Sequence, residues 1–384
     1  MADSLRFLAS FGYLLCFCVL FFSFNSYKSC VQGARELANH QNVVNKNKSL
    51  MPAPVSTSTT GSDLTWIQCQ PCDKCYDQEE PIFDPSKSST FSDAACNTPT
   101  CPYSITYNDH SYSIGNYAKD TLTLSSTAVF PDFVFGCGKN NSDSTNGESF
   151  GKVAGILGLG RGPTSILSQI LSILGQEFCY CLPLQETSTG YLRLGKIASD
   201  TCKPEISTPI FMGSNWPDKY LVRLAGITVG QKRLEMSANF VSNSLASTII
   251  DSGTPISRLP GSVYAELRST FQDLMSNYTI AAVDPSSLLD TCYDLSGNDD
   301  DINNIVPSMK LHFDGFQDLN LEPSAVFLKE SDSRKVCLAF AGNENSDELT
   351  IIGSHQQRNL KISYSLRLLG LGLKVGFSTG GCGN

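Results

Sequence analysis

The sequence predicts an all-β protein, mainly β with few short helices, built as two related lobes. Three observations carry this. Short strand-like runs bounded by turn residues recur along the chain, while helix-period runs are rare. The composition, with 30 Gly and 18 Pro, suits a turn-rich β fold. Two short motifs recur in the same order at nearly the same spacing. Thr59-Thr60-Gly61-Ser62 is echoed by Asp251-Ser252-Gly253-Thr254 (251 − 59 = 192), and Gly155-Ile156-Leu157-Gly158 by Thr350-Ile351-Ile352-Gly353 (353 − 158 = 195). Either motif alone is weak; the matched pair argues for an internal duplication.

Along the chain, Phe7 to Phe24 is an uncharged run rich in Phe, Leu and Cys behind Arg6. Residues 1–24 therefore read as a signal peptide or, left uncleaved, a signal anchor. Residues 25–58 are polar with little pattern. Strand-like runs follow at Tyr103 to Tyr107, Asp120 to Ser125 and Ala128 to Gly136, then at Tyr220 to Val229, Ser247 to Ile250 and Lys361 to Tyr364. The best helical signals are Ser165 to Gly175 and Ser262 to Met275. This gives an N-terminal lobe over 59–205 and a C-terminal lobe over 206–384.

The 384 residues are 41% hydrophobic, enough for a sizeable core, and the net charge of −9 leaves no basic surplus for nucleic acid. Of the 15 cysteines, Cys16, Cys18 and Cys30 lie early, and the other twelve are dispersed from Cys69 to Cys382. An even, dispersed set reads as disulfides in an oxidising compartment. Cys69-x-x-Cys72-x-x-Cys75 could hold a metal, but His40, His110, His312 and His355 show no ligand spacing, so neither metal nor cofactor is expected. Asn47, Asn140 and Asn277 head N-glycosylation sequons.

Asp251-Ser252-Gly253 follows the apolar Ile249-Ile250, so it reads as a tight turn that presents an acid at the end of a buried strand. Two such turns face to face would place two carboxylates side by side. Like charges that close cannot both ionise cheaply, so the pair shares a proton, and one acid takes a proton from water while the other donates to a peptide carbonyl.

The chain carries Gly61-Ser-Asp-Leu-Thr-Trp-Ile-Gln-Cys-Gln-Pro-Cys72, Pro81-Ile-Phe-Asp-Pro-Ser86, Phe135-Gly-Cys-Gly138, Gly155-Ile-Leu-Gly-Leu-Gly-Arg161, Tyr180-Cys-Leu-Pro183, Ile249-Ile-Asp-Ser-Gly-Thr254, Val336-Cys-Leu-Ala-Phe340 and Val375-Gly-Phe377. In these motifs together it resembles the pepsin-like aspartic proteases, in particular the plant nepenthesin-like branch. The resemblance covers about residues 59 to 384 and implies a bilobal fold that takes polypeptide in an interlobe cleft, as a monomer. Asp251 matches the second catalytic aspartate. Ser62 and Thr254 match hydroxyls that bond the carboxylates, and Thr60 and Ser252 the pair that cross-braces the two loops. Tyr107 matches the flap tyrosine, with Asn108 where the family usually has Gly; Asn tolerates the left-handed conformation such a turn can need. The implied disulfides are Cys69–Cys72, Cys75–Cys137, Cys181–Cys382 and Cys292–Cys337, with Cys96–Cys101 across a shortened insert. The states of Cys179 and Cys202 stay open. The implied location is the secretory pathway, extracellular or cell wall, with membrane anchoring by the leader or a plastid as alternatives.

The sequence departs from this pattern at the first acid. Thr59 stands where Asp251 stands in the repeat, and Asp63, four residues later, belongs to the ordinary run after the motif. The stretch Lys28 to Asn39, counterpart of Tyr220 to Gly230, is polar, and Pro52 to Ser58 lacks an apolar run. Residues 25–58 then read as the remnant of a prosegment, and the first lobe as truncated, with exposed edges and poor solubility. The expected function is an aspartic-type endopeptidase impaired by Thr59. The alternative is an inactive binding protein of the same fold, such as a xylanase inhibitor; the retained Asp251 motif and the cysteine pattern favour the protease. A break that ends within the motif fits a skipped coding segment better than a repacked lobe. The transcript across the codons for Leu50 to Gly61 is therefore expected to supply an apolar strand ending in Asp-Thr-Gly-Ser, and direct sequencing checks it.

Overall fold

The computed structural model describes residues 58–96, 100–143, 153–184, 188–213, 215–236, 248–284, 287–296, 302–329, 334–345, 348–366 and 372–382. The leader, the polar stretch to residue 57 and Asn47 lie outside the described residues. The chain divides after Thr201 into two compact units.

Each unit is organised around the same four-strand arrangement. In the first unit the strands are β1 (Ser58–Thr59), β2 (Trp66–Gln68), β3 (Ala128–Ser142) and β4 (Gly155–Gly158). β1 runs parallel to β4, with Ser58 opposite Leu157 and Thr59 opposite Gly158. β4 is antiparallel to β2 at Trp66↔Ile156, and β2 is parallel to β3 at Trp66↔Gly136. In the second unit the strands are β5 (Thr248–Ile250), β6 (Ser257–Leu259), β7 (Phe340–Gly342) and β8 (Thr350–Ile352). β5 is parallel to β8 with Ile250 opposite Ile352, β8 is antiparallel to β6 at Arg258↔Ile351, and β6 is parallel to β7 at Arg258↔Ala341. The orders β1-β4-β2-β3 and β5-β8-β6-β7 coincide. The spacing that relates Thr59 to Asp251 also relates Trp66 to Arg258, so the duplication is one of register as well as of motif.

The flanks differ. In the second unit Leu221–Val222 pairs antiparallel with β5 and covers its outer edge. Among the described residues β1 has no such neighbour and ends its sheet.

Two longer helices complete the units. Helix α1 (Ile166–Leu174) begins at Ser165, whose Oγ accepts from Leu167 N at 3.0 Å. It buries Ile166, Leu167, Ile170 and Leu171 on one face and stops at Gly175, at φ 109°. Burying such side chains is worth about 1.5–3 kcal/mol each against leaving them in water. Helix α2 (Gly261–Leu274) follows Pro260 and buries Val263, Tyr264, Leu267, Thr270 and Phe271. The core of the first unit gathers Leu64, Trp66, Tyr103 and Ile156, with Tyr107 and Tyr117 packed against them.

The disulfides depart from the pairing that the resemblance implied. Cys69 bonds Cys137, and Cys72 bonds Cys75. Strand register is the reason. Ile67 and Gln68 lie opposite Cys137 and Gly138, and Cys69 N donates to Gly138 O at 2.8 Å, so Cys69 continues β2 beside Cys137 with Cα atoms 5.3 Å apart. Cys72 and Cys75 lie beyond Pro71 on the departing loop, within reach of each other. Cys96 bonds Cys101, and Cys292 bonds Cys337 directly across an antiparallel pair. Cys179, Cys181, Cys202 and Cys382 are also disulfide-bonded, so Cys179 and Cys202 are not free thiols.

Asp290 ties α2 to the segment before Cys292. It accepts from the Tyr264 hydroxyl, from Arg268 Nη1 at 2.7 Å and from Thr291 Oγ1 at 2.7 Å. Burial works to raise its pKa, but the bonds from Tyr264, Thr291 and Arg268, with the charge of Arg268, outweigh it and hold the carboxyl below the usual carboxylate range. An acid depressed on folding stabilises the native state above its unfolded pKa of about 3.9, and that contribution fades as pH falls through the folded value.

Two predictions follow from these ties. Replacing Cys69 and Cys137 by Ser opens a 68-residue separation and is expected to cost about 4 kcal/mol, whereas the Cys72/Cys75 double replacement opens one of 3 residues and costs about 1.5 kcal/mol. Urea unfolding of the two double variants measures the difference. Asp290→Asn is expected to lower stability at pH 6 and to cost progressively less as pH falls below about 3.9, which unfolding across pH tests.

Candidate functional site

Strand β5 delivers Asp251 to a buried position, 7% exposed. Asp251 N donates to Ile352 O at 3.0 Å, continuing the parallel ladder. The chain then turns back under the acid. Gly253 N donates to Asp251 Oδ1 at 2.8 Å, and Thr254 Oγ1 donates to Asp251 Oδ2 at 2.7 Å, so each carboxylate oxygen has a donor. Gly353 passes close beneath: a Cβ there would lie 2.7 Å from Thr254 O and 2.8 Å from Ile256 C. Its N–H donates to Ser257 Oγ at 2.9 Å, and Tyr364 Oη donates to Ile250 O at 3.4 Å.

The first unit repeats this arrangement around Thr59, also 7% exposed. Gly61 N donates to Thr59 Oγ1 at 3.1 Å, the counterpart of the Gly253 bond to Asp251 Oδ1. Gly158 N donates to Thr65 Oγ1 at 3.2 Å, the counterpart of Gly353 to Ser257. Gly158 is pressed against the turn, where a Cβ would meet Asp63 O at 2.1 Å. Thr59 thus occupies the position that corresponds to Asp251, and its hydroxyl reproduces the bond that Asp251 Oδ1 accepts. Ser62, counterpart of Thr254, buries its Oγ beside the Tyr107 hydroxyl and does not bond Thr59. Asp63 is engaged elsewhere: its Oδ1 accepts from Gly162 N at 2.7 Å, which shapes the Gly160–Gly162 bend. Thr60 and Ser252 are both buried, at 2% exposure.

Tyr107 opens the turn of a hairpin between Pro102–Thr106 and Tyr112–Ser125. Tyr107 N donates to Ser111 O at 2.9 Å and His110 N to Tyr107 O at 3.0 Å. The left-handed residue of this turn is His110, at φ 66°, and not Asn108. Asp109 accounts for the shift, because its Oδ1 accepts from Ser111 N at 3.0 Å and Ser111 Oγ at 2.6 Å and so closes the turn around His110. The Tyr107 hydroxyl accepts from Trp66 Nε1 at 2.7 Å. Burial pushes its pKa well above the usual phenol value, with Trp66 and Ser62 acting as weaker polar influences the other way. It is a neutral hydrogen-bonding group at any working pH.

Two family models match in tandem: one described as xylanase inhibitor N-terminal over residues 52–196, the other as xylanase inhibitor C-terminal over residues 219–374. An aspartyl protease family protein of Arabidopsis thaliana is 39% identical over 84% of this chain and 68% of its own length. Aspartic proteinase nepenthesin-1 of Nepenthes gracilis is 34% identical over 79% of this chain and 70% of its own. This chain belongs to the aspartic protease family. Among solved structures, conglutin gamma from lupine seeds superposes with a TM-score of 0.64 at 18% identity, covering 84% of this chain and 87% of that one. Basic 7S globulin from soybean does so at 0.62 and 19%, covering 84% and 88%. These two show the fold.

Within this aspartic protease framework the sequence reasoning missed Trp66. It lies in the motif that carried the resemblance, yet nothing in its spacing marks it as the donor to Tyr107. Its value as one of only 2 tryptophans was the available signal. Tyr107→Phe leaves the buried indole N–H without its acceptor and is expected to cost about 1–3 kcal/mol. Urea unfolding of the variant, set against Tyr112→Phe on the same hairpin as a control, checks this.

Proposed function

We propose that this chain is an aspartic-type endopeptidase by descent, directed at polypeptide, whose hydrolysis runs far below that of relatives bearing an acid in both turns. The names of its relatives support polypeptide as the substrate class. The observation that carries the reading is the pair of matched bonds, Gly61 N to Thr59 Oγ1 and Gly253 N to Asp251 Oδ1. Thr59 occupies an acid's seat without an acid's chemistry. Peptide hydrolysis by two carboxylates needs one ionised group to take a proton from water and one protonated group to give a proton to the carbonyl. Asp251 can play either part but not both at once. The threonine hydroxyl does not ionise near neutral pH and cannot act as a carboxylate base. Losing one member of a catalytic unit costs on the order of 10⁴-fold in rate.

The twelve cysteines from Cys69 to Cys382 are all disulfide-bonded, which fits a secreted or extracellular site of action. A second reading, a binding protein that blocks a glycosidase, is supported by Thr59 and by the description of the family models. Against it stands the Asp251 turn, which keeps a donor on each carboxylate oxygen.

Thr59→Asp is expected to raise cleavage of a denatured polypeptide at acidic pH by at least about 10²-fold over the parent. Adding Asp251→Asn should return it to background. A parent that already cleaves as fast as Thr59→Asp, or a rate indifferent to Asp251→Asn, would overturn the reading. Stoichiometric inhibition of a xylanase by the parent would establish the second reading instead.

A further inference from the structure

The sequons at Asn140 and Asn277 meet opposite environments. Asn140 lies inside β3. On one side it is paired with Ile114, and on the other it bridges to Lys74. Its Oδ1 accepts from the Tyr112 hydroxyl at 3.3 Å. The sequon's middle residue, Asn141, is 1% exposed, and its N–H donates to Lys74 O at 2.7 Å. Its hydroxyl residue, Ser142, pairs with Tyr112 and accepts from Lys74 Nζ at 3.2 Å. Asn140 is half-buried, and a sugar on its Nδ2 would crowd the Tyr112 hydroxyl that its own Oδ1 accepts from.

Asn277 is exposed on the turn that follows α2, where Tyr278 N donates to Met275 O at 2.9 Å. Thr279, which completes the sequon, is exposed on the two-residue strand Thr279–Ile280 at the edge of its sheet. Nothing crosses that edge among the described residues.

We infer that Asn277 carries an N-linked glycan in the folded protein and that Asn140 does not. The inference rests on the oxidising, secretory location and is independent of the catalytic reading. In the transfer, Asn277 Nδ2 attacks the anomeric carbon of a lipid-pyrophosphate-linked oligosaccharide. The new N–C bond replaces the C–O bond to pyrophosphate, the amide loses one proton, and the lipid pyrophosphate leaves.

The test expresses the full chain behind its own leader in plant cells. Peptide-N-glycosidase digestion in heavy-oxygen water then marks each formerly glycosylated Asn as a labelled Asp in the peptide map, alongside a count of free thiols. The expected map has label at Asn277 and none at Asn140, in disulfide-bonded material. Thr279→Ala, which keeps Asn277, and Asn277→Gln should both remove the label. Disulfide-bonded protein with an unlabelled Asn277, or a folded monomer labelled at Asn140, overturns the inference. Protein with all its thiols free overturns it through the location on which it rests.

Discussion

A buried oxygen at the end of a strand must be given donors by whatever chain comes next, and both units are shaped by that requirement. In the second unit the chain after Asp251 has to return within three residues to place Gly253 N and Thr254 Oγ1 against the carboxylate. So tight a return leaves no room beneath it, and the crossing strand passes as glycine, at Gly353 and again at Gly158. Those glycines have N–H groups of their own to satisfy, met by Ser257 Oγ and Thr65 Oγ1. One constraint thus selects four positions in each unit and explains why the two halves agree in register where their sequences share little.

The halves part company where the requirement is relaxed. Threonine offers one oxygen in place of two: Gly61 N finds its partner there, while Ser62 Oγ, the counterpart of Thr254 Oγ1, has the Tyr107 hydroxyl as its polar neighbour instead. The flanks show the same asymmetry. Leu221–Val222 closes the edge of β5, while β1 ends its sheet among the described residues. The acid and the strand outside it differ together in the first unit.

Much of this was legible in the sequence because it is written in short-range pattern. The strands and both longer helices follow from period and turn residues, and the seat of Thr59 follows from the matched spacing of two motifs. What escaped is set by long-range register. The pairing of Cys69 with Cys137 depends on β2 lying parallel to β3 at one offset, which no local pattern encodes. The donation from Trp66 to Tyr107 joins residues 41 apart, brought together only when the hairpin folds over β2. The left-handed residue of the hairpin turn fell at His110 because the Asp109 side chain closed the turn, a competition between adjacent residues that composition alone does not rank.

The Cys69–Cys137 bond records a choice. Parallel strands far apart in sequence can slip by a residue, and each slip turns a buried face outward. A slip between β2 and β3 would carry Cys69 away from Cys137 and bring no other cysteine of the loop into the same place. The covalent bond therefore closes only over the correct alignment and then forbids the others. Oxidation acts here as proofreading, fixing the strand that bears Trp66 once its neighbour has been read correctly.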